Sequence, residues 1–115
     1  MIEIVDNKIL MPRGDTLLAQ VTITRGGAPY TPVPGDSVRF ALKSGLNSKG
    51  TAYKEAEPLI RKAIPIDTLV LKLDPEDTKP LLFGKYKYDL EVTLADGTVD
   101  TFIENEDFTL KPEVD

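Results

Sequence analysis

The stretch that decides the fold covers residues 85–103 and reads KYKYDLEVTLADGTVDTFI. Over residues 85–94 apolar and polar side chains alternate, which is typical of a strand with one buried face. The side chains on that face are Tyr86, Tyr88, Leu90, Val92 and Leu94. The pair Asp96-Gly97 that follows is favoured in tight hairpin turns, because both residues tolerate a positive φ. We therefore predict the longest strand over residues 85–94, a hairpin turn over 95–98 and a returning strand over 99–103.

Short alternating runs of the same kind precede this hairpin, and the 8 glycines and 9 prolines fall between the runs. A short pair of strands is predicted over residues 2–5 and 8–11, followed by a turn over 12–15. Further strands are predicted over residues 16–24, 36–43, 57–64 and 68–73, with a last one over 107–110. Seven or eight strands at about ten-residue spacing, with no long helical period, predict an all-β antiparallel sandwich.

The segments between the strands are predicted as loops, with one exception. Gly26-Gly27 and the prolines of segment 29–34 indicate a loop, and so does the glycine- and serine-containing segment 44–51. The exception follows the strand over 68–73: Asp74 suits a helix cap and Pro75 the first helical position, whereas Pro80 prevents a longer helix. We predict one short helical turn near residues 75–79 within a single domain over 1–111, followed by a polar tail over 112–115.

The chain of 115 residues contains no histidine, no cysteine and no tryptophan. Without histidine and cysteine there is no Ser-His-Asp or Cys-His nucleophile, and no ordinary zinc, haem or iron–sulfur site. We therefore predict that the protein is not an enzyme and that it holds no cofactor and no metal. The absence of cysteine also excludes disulfides, so the core must be held by packing alone.

The net charge of −5 argues against two classes of partner. Binding to nucleic acid or to an anionic membrane surface requires a basic face, and the 14 basic residues form no block. Acids at positions 3 and 6 do not fit a signal peptide, and no apolar run approaches the roughly 20 residues of a membrane span. We expect no nucleic acid and no membrane among the partners, and synthesis in the bacterial cytoplasm without signal peptide or transmembrane segment.

The segment that enters the longest strand carries a first resemblance. Gly84-x-Tyr86-x-Tyr88 follows the short helical turn and resembles the corner between strands E and F of immunoglobulin-like domains. The resemblance implies that Tyr86 is a tyrosine corner, whose hydroxyl bonds back to the corner backbone. Tyr88 stands where antibody domains have their second cysteine. The implied fold is an immunoglobulin-like sandwich with Greek-key connections and no disulfide.

A second resemblance covers most of the chain. An ordered set of motifs is similar to small bacteriophage and prophage structural domains, related to the N-terminal domain of siphophage baseplate upper proteins. This resemblance implies a non-catalytic tail component that holds other proteins together. The motifs are Arg13-Gly14-Asp15-Thr16, Gly35-Asp36-Ser37-Val38-x-Phe40, Leu71-x-Leu73-x-Pro75-x-Asp77-Thr78, Leu82-x-Gly84-x-Tyr86-x-Tyr88-Asp89-Leu90, Asp96-Gly97-Thr98-Val99-x-Thr101-x-Ile103 and Phe108-Thr109-Leu110.

Three short features allow a functional interpretation beside a structural one. Arg13-Gly14-Asp15 spells an integrin-binding tripeptide, but this composition is also common in tight turns, which we favour. The acids between Asp96 and Asp107 offer oxygen ligands for calcium, but their spacing does not match an EF-hand loop. We favour a solvated acidic edge that deters aggregation. The tyrosines suggest a carbohydrate platform, but Tyr86 and Tyr88 share the apolar face and are expected in the core.

We therefore expect a structural and protein-interaction module of a phage or prophage tail, associated with the baseplate and located in the virion. Its expected partners are other tail or baseplate proteins and further copies of itself. The alternative is a carbohydrate- or receptor-binding module on a virion or cell surface, with a glycan as the less favoured partner, and a small acidic enzyme is a third alternative. The candidate interface residues are two tyrosines in or beside loops, a residue type enriched at protein contacts, and two apolar loop residues that can anchor a partner: Tyr30, Tyr53, Val33 and Leu46.

Overall fold

Ten strands and one helical turn make up the part of the chain that the computed structural model describes, residues 2–44 and 59–112. The predicted all-β class is confirmed. The elements are β1 Glu3–Val5, β2 Lys8–Pro12, β3 Leu17–Gln20, β4 Ile23–Arg25, β5 Ala28–Tyr30, β6 Ser37–Ser44, β7 Ile60–Ile64, β8 Val70–Leu73, α1 Pro75–Thr78, β9 Gly84–Thr93 and β10 Val99–Lys111.

Six of the strands form one sheet in the order β1-β2-β10-β9-β6-β7. All neighbours in this sheet are antiparallel except β2 and β10, which run parallel with Ile9 opposite Phe108. The predicted hairpin between β9 and β10 is confirmed, since the Leu94 N–H donates to the Thr98 carbonyl at 2.8 Å and Gly97 has a φ of 92°. The parallel pairing brings the two ends of the chain together at one side of the sheet.

The second layer contains the antiparallel pair β3–β8. Apolar side chains at alternate positions of both layers meet in one core, as the alternation predicts. At its centre lie three aromatic rings, Phe40 of β6, Tyr88 of β9 and Phe108 of β10, with centroids 5.5 to 6.3 Å apart. The buried Tyr88 hydroxyl donates to the carbonyl of Asn7 in the β1–β2 turn. The rings therefore join β6, β9 and β10 to the N-terminal hairpin.

Two predicted elements differ from the structure near residue 24. The predicted strand over 16–24 is two strands, because the chain breaks its pairing between Gln20 and Ile23. The segment after it, predicted as a loop, is a hairpin in which β4 pairs with β5 around Gly26-Gly27. Both glycines have positive φ, 58° and 81°, which is the requirement of a tight hairpin turn. The error arose because the prolines that follow were interpreted as loop residues, although an edge strand tolerates proline.

The end of the chain also differs from its prediction. Two separate strands over 99–103 and 107–110 were expected, whereas β10 is continuous over both. The pairing with β9 shifts between Ile103 and Glu106, so the extra residues form a bulge with Asn105 at a φ of 52°. The bulge is held by Asp89, which accepts the Asn105 N–H at 2.7 Å and pairs with Lys43 at 2.8 Å. The polar residues between Ile103 and Glu106 therefore form a bulge within one strand.

Candidate functional site

The helical turn α1 sets the course of the chain at one end of the sandwich. The Asp74 N–H donates to Asp77 Oδ2 at 2.7 Å, and Pro75 occupies the first helical position, as predicted. The Leu81 N–H then donates to the Thr78 carbonyl at 2.9 Å. Residues 81–83 leave this turn and lead into β9, which begins at Gly84 with a φ of 144°. This short connection is the corner between β8 and β9.

The turn at residues 12–15 holds this connection from one side. The Gly14 N–H donates to Oγ1 of the fully buried Thr78 at 2.8 Å. The Arg13 guanidinium donates to the Leu81 carbonyl at 3.0 Å, and the Arg13 N–H to the Lys111 carbonyl at 2.9 Å. The predicted tight turn is confirmed, since Gly14 has a φ of 87°. Because its arginine is engaged at Leu81, nothing here favours the integrin interpretation of the tripeptide.

Tyr86 holds the connection from the other side. Its hydroxyl donates to the Leu82 carbonyl at 2.6 Å, four residues upstream. Partial burial raises the pKa of Tyr86, so the hydroxyl stays protonated and remains a donor at neutral pH. The carbonyls of Leu81 and Leu82 are thus bound by Arg13 and Tyr86, respectively. The backbone of the connection is therefore fixed from two sides, by the distant Arg13 and by the nearby Tyr86.

Two of the three side chains of this connection are exposed, whereas Leu81 packs against the core. Leu82 is 79% exposed and Phe83 is 49% exposed, and the Arg13 guanidinium carbon lies 4.4 Å from the centre of the Phe83 ring. We call Arg13, Leu82 and Phe83 the apolar corner. Phenylalanine and arginine are among the residue types that are enriched at protein interfaces. Because the backbone is already fixed, a partner that binds here orders few groups, which lowers the entropic cost of binding.

The candidate interface residues from the sequence lie elsewhere or outside the described part. Tyr30 belongs to β5, not to a loop, and it is partly buried against the core. Val33 is 53% exposed, as expected for a surface residue. Leu46 and Tyr53 fall outside the described residues. Tyr30 and Val33 lie near the start of β6, whereas the apolar corner precedes the start of β9. Because β6 and β9 are antiparallel, these two places are at opposite ends of the sandwich.

Asp36 joins Tyr30 and Val33. Its Oδ2 accepts the Tyr30 hydroxyl at 2.5 Å and the Val33 N–H at 3.0 Å. The hydrogen bond from Tyr30, followed by the one from Val33, lowers the pKa of Asp36, and the same bond raises the pKa of Tyr30. The Arg25 guanidinium carbon lies 5.3 Å from the Tyr30 ring centre. The polar end of Tyr30 is therefore engaged within the domain.

Three of the acids that were considered as calcium ligands have other partners. Asp100 pairs with Arg25 at 2.9 Å, Asp107 pairs with Lys87, and Asp96 accepts the Thr98 N–H at 2.9 Å. Over residues 2–44 and 59–112 no three acids are grouped so that they could hold a metal ion. In the same part of the chain, no helix has the length and apolar character needed to cross a membrane.

No family model, curated protein or solved structure matches the chain significantly. The candidate site therefore rests on geometry. Prediction from the sequence missed Leu82 and Phe83 as surface residues, although a signal was present. The two apolar residues are adjacent, and neighbouring side chains on an extended chain point to opposite faces, so both cannot enter one core. Their place between Pro80 and Gly84 indicates an exposed corner.

Proposed function

We propose that the protein is a non-catalytic structural and protein-interaction module of a phage or prophage tail, associated with the baseplate. In this proposal its fold is an immunoglobulin-like Greek-key sandwich, and the apolar corner is its principal contact with a neighbouring tail protein. The partner is a protein surface with an apolar pocket for Phe83 and Leu82, next to the Arg13 guanidinium that already binds the Leu81 carbonyl. No covalent step takes place, and the function is to join subunits.

The strand order supports the immunoglobulin-like assignment. In that fold, strands C, F and G form one sheet and strands B and E belong to the other. Here β6, β9 and β10 are neighbours in one sheet in that order, with β7 beside β6 as a further strand. The opposite layer pairs β3 with β8, which correspond to strands B and E. The bond from Tyr86 to the Leu82 carbonyl has the donor and acceptor of a tyrosine corner.

The observation that carries the interaction function is the apolar corner. An exposed leucine beside a half-exposed phenylalanine costs free energy in water, at roughly 25 cal/mol for each Å² of apolar surface. Their backbone is held by Arg13 and Tyr86, so the chain cannot bury them by moving the connection inward. A partner that covers these side chains recovers this free energy. The assignment to a phage tail rests on the ordered motifs of the sequence.

A glycan-binding function has less support. A carbohydrate platform needs two or more exposed rings along a groove. Within the described residues, Phe83 is the exposed aromatic side chain, whereas Tyr30 and Tyr86 are partly buried and Tyr88 is in the core. We therefore do not propose it as a second function.

The interaction function is tested by binding to co-encoded proteins. The purified protein is mixed with each tail protein encoded beside it, and complexes are measured by analytical ultracentrifugation. We expect one complex that Phe83→Ser or Leu82→Ser weakens by roughly 2 kcal/mol, about 30-fold, as for a residue at an interface centre. The matched control is Val99→Ser, since Val99 is also apolar and 57% exposed but lies in β10. Equal affinity of all variants, or neighbouring genes of metabolism only, would contradict the proposal.

A further inference from the structure

Strand β3 has one edge with which no strand in residues 2–44 and 59–112 pairs. It pairs with β8 on one side, and the Val21 N–H donates to the Leu69 carbonyl at 2.8 Å. In an antiparallel pair, hydrogen-bonded residues alternate with residues whose backbone groups point away from the partner. Val21 and Ala19 therefore face β8, and the N–H and C=O groups of Leu18 and Gln20 point to the other edge. Among the described residues no strand pairs with that edge.

This edge lacks the features by which proteins protect edge strands. Charged side chains and prolines at an edge prevent another strand from pairing with it. Strand β3 reads Leu-Leu-Ala-Gln and has neither. The other edge strands in the described part each carry one: Glu3 in β1, Arg25 in β4, Pro29 in β5, Arg61 and Lys62 in β7, and Lys72 in β8.

An apolar cleft of about 160 Å³ lies beside the same edge. It is open because two strands of the second layer face six strands of the first. Its volume is close to the roughly 150 Å³ of an engineered apolar cavity that admits benzene, so it has room for one large apolar side chain. Its apolar walls come from six strands, with Ile4 of β1, Ile9 of β2, Ala19 of β3, Leu71 of β8, Leu90 of β9 and Ile103 of β10, and its polar lining residues include Asn7, Gln20 and Thr22.

We propose that the β3 edge binds an extended segment of a partner protein, which adds a strand to the second layer. The segment pairs with the backbone groups of Leu18 and Gln20 and places one apolar side chain in the cleft. Free peptide groups along an edge specify an extended backbone, and the cleft specifies an apolar side chain at one position of the ligand. The inference deepens the proposed function by adding a second contact, and it rests on that function.

A displayed library of random twelve-residue peptides, selected on the whole purified protein, provides the probe. We expect selected peptides to share one large apolar residue, which enters the cleft, within an otherwise variable segment. Their binding should slow hydrogen exchange at the amides of Leu18 and Gln20. Gln20→Pro removes the N–H at the free edge but none that faces β8, so it should weaken binding by roughly tenfold or more. Gln20→Ala is the matched control, because it removes the same side chain and keeps the N–H.

A second variant tests the cleft independently of the backbone. Ala19→Leu fills part of the cleft from within, and we expect weaker peptide binding with no loss of thermal stability. The inference is overturned if bound peptides slow hydrogen exchange at the amides of β7 and not at those of β3. It is also overturned if the selection yields no binder. Leu82→Ser and Phe83→Ser should leave peptide binding unchanged. Failure of the β3 contact is therefore distinguishable from failure of the apolar corner.

Discussion

Replacing Phe108 by alanine should lower the free energy of unfolding by roughly 3–5 kcal/mol. The Phe108 ring is fully buried and contacts the rings of Phe40 and Tyr88, with centroids 6.2 and 6.3 Å away. Its removal costs the transfer free energy of the ring and leaves a cavity among side chains of both layers. Since small domains have about 5–15 kcal/mol of stability in total, the melting temperature should fall by roughly 15–25 °C. Denaturant and thermal unfolding followed by circular dichroism measure this change.

The matched control for Phe108→Ala is Phe83→Ala. Phe83 is half exposed and contacts the Arg13 guanidinium, so its truncation should cost no more than about 1 kcal/mol. Equal destabilisation by the two substitutions would show that the ring at position 83, and not only the ring at 108, belongs to the core. The described arrangement of the two layers would then be wrong.

Alkaline pH should destabilise the protein through Tyr88. Burial raises the pKa of Tyr88 from 10.0 to about 12, with a smaller contribution from Glu106. Below pH 10 the side chain is neutral in both states, and its contribution to stability is complete. Between pH 10 and 12 the unfolded chain releases a proton that the folded chain retains. The free energy of unfolding should then fall by up to about 1.4 kcal/mol per pH unit, a loss of about 2 kcal/mol by pH 12.

Tyr88→Phe isolates this effect from other groups that titrate in the same range. The variant loses the hydrogen bond to the Asn7 carbonyl, so at pH 8 it should be less stable than the wild type by about 1 kcal/mol. Above pH 10 its stability should fall less steeply, because the titrating hydroxyl is absent. The measurement is urea unfolding at several pH values from 8 to 12. Parallel curves for wild type and variant would contradict the burial of the Tyr88 hydroxyl.

Most elements that local sequence determines were predicted correctly, and the β4–β5 hairpin around Gly26-Gly27 is the exception. The alternation of Tyr88, Leu90 and Val92 has a direct physical cause, since side chains on a strand alternate between faces. The Asp96-Gly97 turn and the capped helical turn at Pro75 are also local, because the residues that form them supply the required φ values and hydrogen-bond acceptors. Such features depend on a few neighbouring residues, and tertiary contacts did not override them.

The other features that were missed depend, at least in part, on distant parts of the chain. The bulge at Asn105 forms because Asp89, in the next strand, accepts its N–H. The parallel pairing of β2 with β10 joins the two ends of the chain, and no local pattern indicates it. The apolar corner is exposed because Arg13 and Tyr86 bind its backbone from two sides. A contact between residues 13 and 81 has no signal in either segment alone.

Photocrosslinking in assembled particles tests the central claim most directly. Phe83 is replaced by the photoreactive p-benzoylphenylalanine, and Val99 is replaced in the same way as the exposed control on β10. Particles that contain either variant are purified, irradiated and analysed by mass spectrometry. The proposed function predicts that position 83 crosslinks to one tail protein and that position 99 does not. Equal crosslinking at both positions, or absence of the protein from the particles, would contradict it.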